Sequence, residues 1–465
     1  MLGKVFKAYD IRATYPKPLN EKLAWQIGYA TAQYLTDNAA EAGFDDPMMR
    51  HIVVGRDMRK SGPSLCTAFK KGIRDAGAHV IDLGKVDTPM IYFAINYLSC
   101  AGGAQTTASH NPANYNGFKI SKLAAKPVGE ETGLAEIRRL AAMASQDKVT
   151  PRGGREESRD LWEPYAQHVR SFLSPALLDG AKTIKVVIDA SNGMAGTMVP
   201  RIFADVPGLD ITRINFDNST GEFEHEPNPL VEANLEELKA KVREIKADFG
   251  ICFDGDADRL VVVDERGTTI GCDHLTAWLS ARFLKQTPGS SIVYDLRSSK
   301  SLPEMIEEAG GRPVKSRVGH VYMKQKLADE RAIFGGELSG HFYFRDNFNA
   351  DSGAIAFAAV ASAYIEDGRR LSTQIKPSMR YAQSGEINFR NEEKEATLNR
   401  LRNTYPDARV EELDGVTLDH GQWWCNVRMS NTEPLLRLNL EGADADVVSI
   451  ALREVSRYLG ERVNH

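Results

Sequence analysis

Residues Phe249–Arg259, FGICFDGDADR, give the clearest indication of the fold of this chain. A segment in which Leu235, Leu238 and Val242 recur at helical spacing precedes it, and its own first five residues are apolar or glycine. A helix that leads into a short apolar strand and then into a polar loop is the repeating unit of an α/β sheet. The polar loop then lies at the carboxyl end of a strand, where such sheets bind ligands.

The same alternation of strand and helix occurs in three rounds and predicts three related α/β domains with mixed sheets. Strands are expected at 51–55, 79–83, 184–189, 209–215, 249–253, 291–296 and 313–318, with helices at 61–76, 88–98, 192–203, 273–285, 300–310 and 321–331. A Ser61 cap is expected to open the first of these helices. From residue 372 the pattern predicts a C-terminal α+β domain. The domain ranges predicted are 1–157, 158–259, 260–371 and 372–465.

Composition limits the possible functions. The 465 residues suggest about three or four domains, and the net charge of -5 without any basic run of five residues argues against a nucleic-acid partner. The longest weakly polar run, Ala354–Ile365, is too short to cross a membrane and predicts a buried helix. Five Cys without a C-x-x-C pair argue against a disulfide framework or a thiolate zinc site and are expected to be reduced and half-buried. The charged N-terminus lacks a signal peptide pattern, so a cytoplasmic location is expected.

DGDADR places Asp254, Asp256 and Asp258 at alternate positions directly after a strand. Carboxylates this close repel one another, so a divalent cation such as Mg²⁺ or Ca²⁺ best explains them; a solvated acidic turn is the alternative. An EF-hand is rejected because Arg259 stands where its loop requires Gly. Arg259 is instead available to a phosphate.

TTASHNPANYNGFKI, residues 106–120, makes Ser109 a candidate nucleophile, although a loop Ser is more often a cap or turn residue. A Ser109–His110 hydrolase dyad is disfavoured because neighbouring side chains diverge and no G-x-S-x-G elbow is present. Lys119 could donate to a transferring phosphoryl group, and a phosphoserine at 109 would complete a metal site beside the three Asp.

Two later motifs suggest ligand contacts. In GGELSGHF, residues 335–342, Glu337, Ser339 and His341 would face one side of an extended segment and suit sugar hydroxyls, or form a solvated edge. In RMSNTEPLLRL, residues 428–438, side chains and backbone amides suit a phosphate, or the segment is a plain hairpin. Arg12, in KAYDIR, is expected in a loop.

SHNP, DGDADR, GELSGH and SNTEP occur in this order, and together they resemble the α-D-phosphohexomutase family over nearly the whole chain. The resemblance implies four domains around a central cleft and an intramolecular phosphotransferase, an isomerase. Such an enzyme interconverts the 1-phosphate and 6-phosphate of mannose or glucose through phosphoserine and a hexose 1,6-bisphosphate. It also implies Mg²⁺, with glucose or mannose 1,6-bisphosphate as activator, and phosphohexose substrates. A monomer or homodimer is expected, without nucleic-acid or membrane partners.

The resemblance also assigns residues. Those implied as catalytic are Ser109, His110, Lys119, Arg12 and His341, and those implied for metal are Ser109, Asp254, Asp256 and Asp258. Those implied for substrate are Arg259, Arg297, His320, Glu337, Ser339, Arg428, Ser430, Asn431, Thr432 and Arg437. The general base is left between His341 and Lys119.

The first loop departs from the family pattern, because Ala13 follows Arg12 where relatives commonly have Gly. Some relatives also have Lys in place of Arg297. Three alternatives stay open: a phosphoglucosamine mutase, a Mg²⁺-dependent sugar phosphatase with Asp254 as nucleophile, and a non-catalytic sugar-phosphate or Ca²⁺ binding protein.

Overall fold

The computed structural model describes residues 2–44, 46–430 and 434–463, which form two compact units. The first unit comprises Met1–Ile270 with Ser339–Thr373, and the second comprises Gly271–Leu338 with Gln374–His465. The range 260–371, predicted as one domain, is therefore divided between the units. The four domain ranges stay predictions.

The first sheet of the first unit is mixed. Its strand order is Ile11–Thr14, Tyr115–Lys122, Gly102–Thr106, His51–Arg56, His79–Lys85 and Glu156–Ser158, with Lys126–Pro127 paired to Tyr115–Lys122. Its helices are Glu21–Glu41, Gly62–Asp75, Thr88–Tyr97 and Leu134–Met143. Ile52, Val53 and Val54 are all fully buried, as expected for a central strand covered on both faces. Polar segments therefore emerge only at the ends of this strand.

Two features of this sheet differ from the prediction. The Ser61 cap is wrong: Ser61 has helical dihedral angles, and its hydroxyl accepts a hydrogen bond from Asn116 Nδ2 at 2.9 Å instead of capping the helix. The helix Glu21–Glu41 was not predicted, although Asn20 caps it by accepting from the Leu23 amide at 3.0 Å.

The second sheet has the order Thr269–Ile270, Leu260–Asp264, Phe249–Phe253, Ile184–Asp189 and Leu209–Ile214. Its pairing continues past residue 259, since Phe249–Phe253 pairs antiparallel with Leu260–Asp264. The nearby helices are Trp162–Arg170, Ala195–Phe203 and Glu236–Ile245. The helix predicted from 192 begins only at Ala195, because Ser191 and Asn192 both have φ of +47°.

The first unit also contains the antiparallel pair Phe342–Phe344 and Ala350–Asp351 and the apolar helix Gly353–Asp367. The predicted burial of this helix is confirmed, since Ala354 through Ala363 are all buried. Among the described residues, the helices fall short of the length and apolar character needed to span a membrane.

In the second unit, Ser291–Asp295 lies between Arg312–Ser316 and Phe334–Gly336 in a parallel sheet. Its helices are Cys272–Gln286, Ser301–Glu308 and His320–Asp329. A six-stranded antiparallel sheet follows in the order Arg409–Glu411, Val416–Asp419, Trp423–Met429, Leu435–Gly442, Ala382–Arg390 and Glu461–Val463, with helices Lys394–Thr404 and Ala445–Leu459. The five cysteines are free and buried, deeper than the half-buried positions expected.

Candidate active site

The carboxylate cluster, Asp254, Asp256 and Asp258, lies in the turn between two antiparallel strands of the second sheet. All three residues are buried, and each offers a carboxylate oxygen within 4.8 Å of the others. The Oδ1 atoms of Asp256 and Asp258 are buried and accept no hydrogen bond. Buried acceptors without partners are costly, so the cluster is suited to a cation.

Ser109 lies in the loop after the strand Gly102–Thr106 and contacts this cluster. Its Oγ donates a 2.8 Å hydrogen bond to Asp254 Oδ2, and the residue is fully buried. Gly255 allows the two loops to approach, because a Cβ at that position would lie 2.4 Å from the Ser109 carbonyl oxygen. Ser109 itself has a φ of +49°, a left-handed conformation that a non-glycine residue adopts at a cost.

Two cations predicted for the site lie on strands of the first sheet. Lys119, on Tyr115–Lys122, donates to Asp256 Oδ2 at 2.7 Å and to Asp258 Oδ2 at 2.5 Å. Arg12 pairs with Asp10 and donates to Asn111 Oδ1 at 2.6 Å. The expectation of a loop around Arg12 is wrong, because Ile11–Thr14 pairs with Tyr115–Lys122 as an edge strand.

Burial and charge shift the pKa values of the carboxylate cluster. Burial, with the neighbouring Asp258 and Asp256, raises the pKa of Asp254 well above its usual value. Burial opposes ionisation of Asp258 as well, but Lys119 and His341 outweigh it and lower its pKa. Burial and like charge therefore favour the neutral form of Asp254, whereas the neighbouring cations favour the ionised form of Asp258.

Burial and neighbouring charges also shift the pKa values of Lys119 and His110. Burial lowers the pKa of Lys119, but the three carboxylates raise it more, so the ammonium stays protonated. Removal from solvent, with the cations Arg259 and Arg12, lowers the pKa of His110 well below its usual value. His110 is thus a neutral imidazole, with Nδ1 3.3 Å from Ser109 Oγ.

His341 borders the carboxylate cluster. Its Nε2 accepts a hydrogen bond from Arg259 Nε at 3.2 Å and lies 3.6 Å from Asp258 Oδ1 and 3.8 Å from Asp351 Oδ2. Its Nδ1 is 3.0 Å from Ser339 Oγ. Arg259 also lies beside Asp254, at 3.6 Å.

The prediction that residues 337–341 are extended, with Glu337, Ser339 and His341 facing one side, is wrong. Residues 338–340 form a turn, in which Gly340 has a φ of +87°. Glu337 belongs to the second unit and accepts from the Gly319 amide at 2.8 Å, whereas Ser339 and His341 belong to the first.

The second unit contains an arginine cluster, Arg297, Arg428 and Arg437, around Glu386. Arg428 donates to Glu386 Oε2 at 3.0 Å, and Arg297 and Arg437 reach its two oxygens at 3.4 Å each. Arg297 is also held by both oxygens of Asp295, at 3.0 and 2.9 Å. Burial raises the pKa of Glu386, but the three arginines outweigh it and lower that pKa.

Two further residues predicted for substrate binding lie at the ends of elements of the second unit. His320 begins the helix His320–Asp329, and Ser430 is buried at the end of the strand Trp423–Met429. Asn431 and Thr432 lie outside the described residues. The strands Trp423–Met429 and Leu435–Gly442 pair as a hairpin, so the phosphate and hairpin interpretations of this motif are compatible.

Sequence reasoning missed several polar residues of these sites. Asp57 and Arg59 follow the strand His51–Arg56, and Asn111, Asp351 and Glu386 contact predicted residues. The signal for the first two was their position, VGRDMR, at the carboxyl end of a parallel strand. Asp351 and Glu386 carry no comparable local signal.

Four consecutive family models match the chain, all described as phosphoglucomutase/phosphomannomutase. They are alpha/beta/alpha domain I at residues 3–148, domain II at 163–267, domain III at 272–381 and the C-terminal domain at 386–454. These matches confirm the predicted class of three α/β domains followed by an α+β domain. The arrangement around a cleft stays a prediction.

Relatives extend over the full length. A protein of Xanthomonas campestris named phosphohexose mutases is 38% identical, covering 98% of each chain. A phosphomannomutase of Escherichia coli K12 is 35% identical, covering 98% of this chain and 99% of that protein. The crystal structure of a phosphoglucomutase/phosphomannomutase family protein from Burkholderia thailandensis is 28% identical with a TM-score of 0.86, covering 98% of this chain and 96% of that one.

Proposed function

Since this chain belongs to the phosphoglucomutase/phosphomannomutase family and is an isomerase of the phosphohexomutase class, we propose that it interconverts the 1-phosphate and 6-phosphate of mannose, glucose or both, with Ser109 as phosphoryl carrier. One observation carries the proposal: Ser109 Oγ lies 2.8 Å from Asp254 Oδ2. A hydroxyl held against buried carboxylates is placed to carry a phosphoryl group beside a divalent cation.

The donor set fits Mg²⁺. Three buried carboxylates and the Ser109 hydroxyl are hard oxygen ligands, and Asp256 Oδ1 and Asp258 Oδ1 lack any hydrogen-bond donor. When bound by these residues, the ion would neutralise negative charge on the phosphoryl group.

The transfer conserves atoms and charge. The bond between Ser109 Oγ and phosphorus breaks while a bond from phosphorus to the free sugar hydroxyl forms, giving a hexose 1,6-bisphosphate. The second transfer returns the other phosphoryl group to Ser109 Oγ, and a proton returns to the sugar oxygen. Lys119 Nζ, protonated beside the carboxylates, would donate hydrogen bonds to the phosphoryl oxygens, with Arg12 as a second cation.

The sugar hydroxyl must lose its proton, and His341 is the better of the two bases considered. Lys119 carries a raised pKa, so its ammonium has no lone pair to offer. The His341 imidazole borders the carboxylate cluster, with Nε2 3.2 Å from Arg259 Nε and 3.6 Å from Asp258 Oδ1. We assign proton transfer to His341 on this placement.

The arginine cluster of the second unit is proposed to bind the phosphate that does not react. Three guanidinium groups converge on Glu386, and Arg forks match phosphate oxygens. A mutase must accept either end of its bisphosphate, so one cationic site serves both orientations. Glu337 and Ser339 are proposed to bind sugar hydroxyls.

Ser109→Ala tests this proposal. The purified protein is assayed with Mg²⁺ and a trace of glucose 1,6-bisphosphate on mannose 1-phosphate, glucose 1-phosphate and glucosamine 6-phosphate in parallel. We expect turnover of the mannose or glucose substrate by the wild type and near-complete loss in the variant. Ser64→Ala, at an exposed serine on the helix Gly62–Asp75, is the matched control.

The same experiment separates the alternatives. A phosphatase with Asp254 as nucleophile would keep its turnover in Ser109→Ala and release inorganic phosphate. A non-catalytic binding protein would turn over no substrate and would show no phosphoryl group by intact mass spectrometry. Preferential turnover of glucosamine 6-phosphate would identify a phosphoglucosamine mutase.

A further inference from the structure

A fully buried ion pair, Asp57 and Arg59, lies beside the Ser109 loop and has no part in the function proposed above. The side chains of both residues are completely buried, and Arg59 Nε donates to Asp57 Oδ2 at 3.1 Å. Both residues follow the strand His51–Arg56, which is parallel to the strand that leads into Ser109. The pair therefore lies beside the loop, at the same end of the sheet.

The two terminal NH2 groups of the Arg59 guanidinium donate to backbone carbonyl oxygens of that loop. Its NH2 group donates to the carbonyl oxygens of Ser109 and Asn111, at 2.8 and 2.7 Å. Its NH1 group donates to the carbonyl oxygens of Pro112 and Tyr115, at 2.6 and 3.1 Å. With the bond to Asp57, all five N–H donors of the guanidinium are engaged. Lysine has one nitrogen and cannot reproduce this set.

Asp57 is linked through Thr107 to the backbone amide of Ser109. Its Oδ2 accepts from the Thr107 hydroxyl at 2.7 Å, and that hydroxyl accepts from the Ser109 amide at 2.9 Å. Arg59 binds the Ser109 carbonyl, so both backbone polar groups of Ser109 are tied to one buried pair. Ser109 has a φ of +49°, and a strained conformation persists only where its surroundings determine it.

We propose that Asp57 and Arg59 are positioning residues that fix the backbone of Ser109 so that its Oγ points at Asp254. The inference rests on the proposed role of Ser109. All five N–H donors of Arg59 are used within the protein and Asp57 Oδ2 is bound to Arg59 and Thr107, so the pair acts on substrate only through the Ser109 loop. The pair acts on the rate of phosphoryl transfer and leaves substrate binding unchanged.

Arg59→Lys and Thr107→Val test the two arms of this network, with Thr107→Ser as the conservative variant that keeps the bridging hydroxyl. Arg50→Lys is the matched control, because Arg50 also donates to a backbone carbonyl, that of Gly77, away from Ser109. For each variant we measure kcat and KM, and by intact mass the rate at which glucose 1,6-bisphosphate phosphorylates Ser109.

A displacement of about 1 Å in a reacting group lowers a rate about 100-fold, so we expect that loss in kcat for Arg59→Lys and about a tenfold loss for Thr107→Val. KM should stay within about twofold, phosphorylation of Ser109 should slow in parallel with kcat, and Thr107→Ser should recover the wild-type rate. Should Arg59→Lys fail to fold by circular dichroism, the Thr107 pair decides alone.

Wild-type kcat in Thr107→Val and in any folded Arg59→Lys protein would overturn the inference, as would a rise in KM at constant kcat. Ser109→Ala separates this failure from failure of the proposed function. Turnover retained in Ser109→Ala removes the proposed function itself. Loss of turnover in Ser109→Ala, with wild-type rates in the other variants, removes only the positioning role.

Discussion

The carboxylate cluster of the first unit and the arginine cluster of the second unit carry opposite charges. Three buried carboxylates face Lys119 and Arg259, and two of their oxygens lack a donor. In the second unit three arginines converge on Glu386. The first site is thus suited to an added cation and the second to an added anion, as a reaction that moves phosphate requires. Mutations should affect turnover in one region and binding in the other.

The largest effect is expected from Asp256→Asn. Because it removes a charge from the proposed metal site and a partner of Lys119, we expect kcat to fall by about 10³-fold. Titration calorimetry should show weaker Mg²⁺ binding, while KM changes little. Asp217→Asn, at an exposed Asp of the same unit, is the control. An unchanged Mg²⁺ affinity would remove this carboxylate from the metal site.

Arg428→Lys should give the opposite pattern. Hydrogen bonds to charged groups contribute about 1.5–3 kcal/mol, so losing the fork should raise KM by about 10-fold to 100-fold. We expect kcat to stay within about threefold. Steady-state kinetics on the sugar phosphate that the wild type turns over in the assay above measures both constants, with Arg402→Lys as the control. A fall in kcat at constant KM would contradict the assignment of substrate binding to the arginine cluster.

Gly255→Ala should have a smaller effect, confined to the first unit. Its Cβ would lie 2.4 Å from the Ser109 carbonyl oxygen, so the two loops must separate. We expect a loss of about 1–3 kcal/mol in the free energy of unfolding, measured by urea denaturation, together with slower phosphorylation of Ser109. Gly3→Ala is the control, because a Cβ there meets nothing within 4 Å. Wild-type stability would mean that the close approach is unimportant.

The two regions also differ in how much of each the sequence predicts. The strand Ile184–Asp189 and the loops holding Ser109 and Asp254 follow from local patterns, because apolar runs and strand ends are local features. The contacts of Arg59 and Glu386 do not, since they join residues about 40 to 90 positions apart. The turn at 338–340 was missed because alternate polar residues also suit an extended segment.

The smallest effect is expected from a pair on the sheet that carries the carboxylate cluster. His225 Nε2 lies 3.1 Å from the buried Asp189 Oδ2; burial lowers the pKa of His225, but the bond to Asp189 raises it more. A raised folded-state pKa gives stability that is present below the unfolded value of about 6.5 and lost as pH rises through the folded value. Urea unfolding of the wild type and of His225→Gln at pH 6 and pH 8 isolates this contribution, because the other buried titratable groups are common to both proteins. The wild type should lose about 0.5–1 kcal/mol more than the variant at the higher pH, and an equal change in both proteins would contradict the assignment to His225.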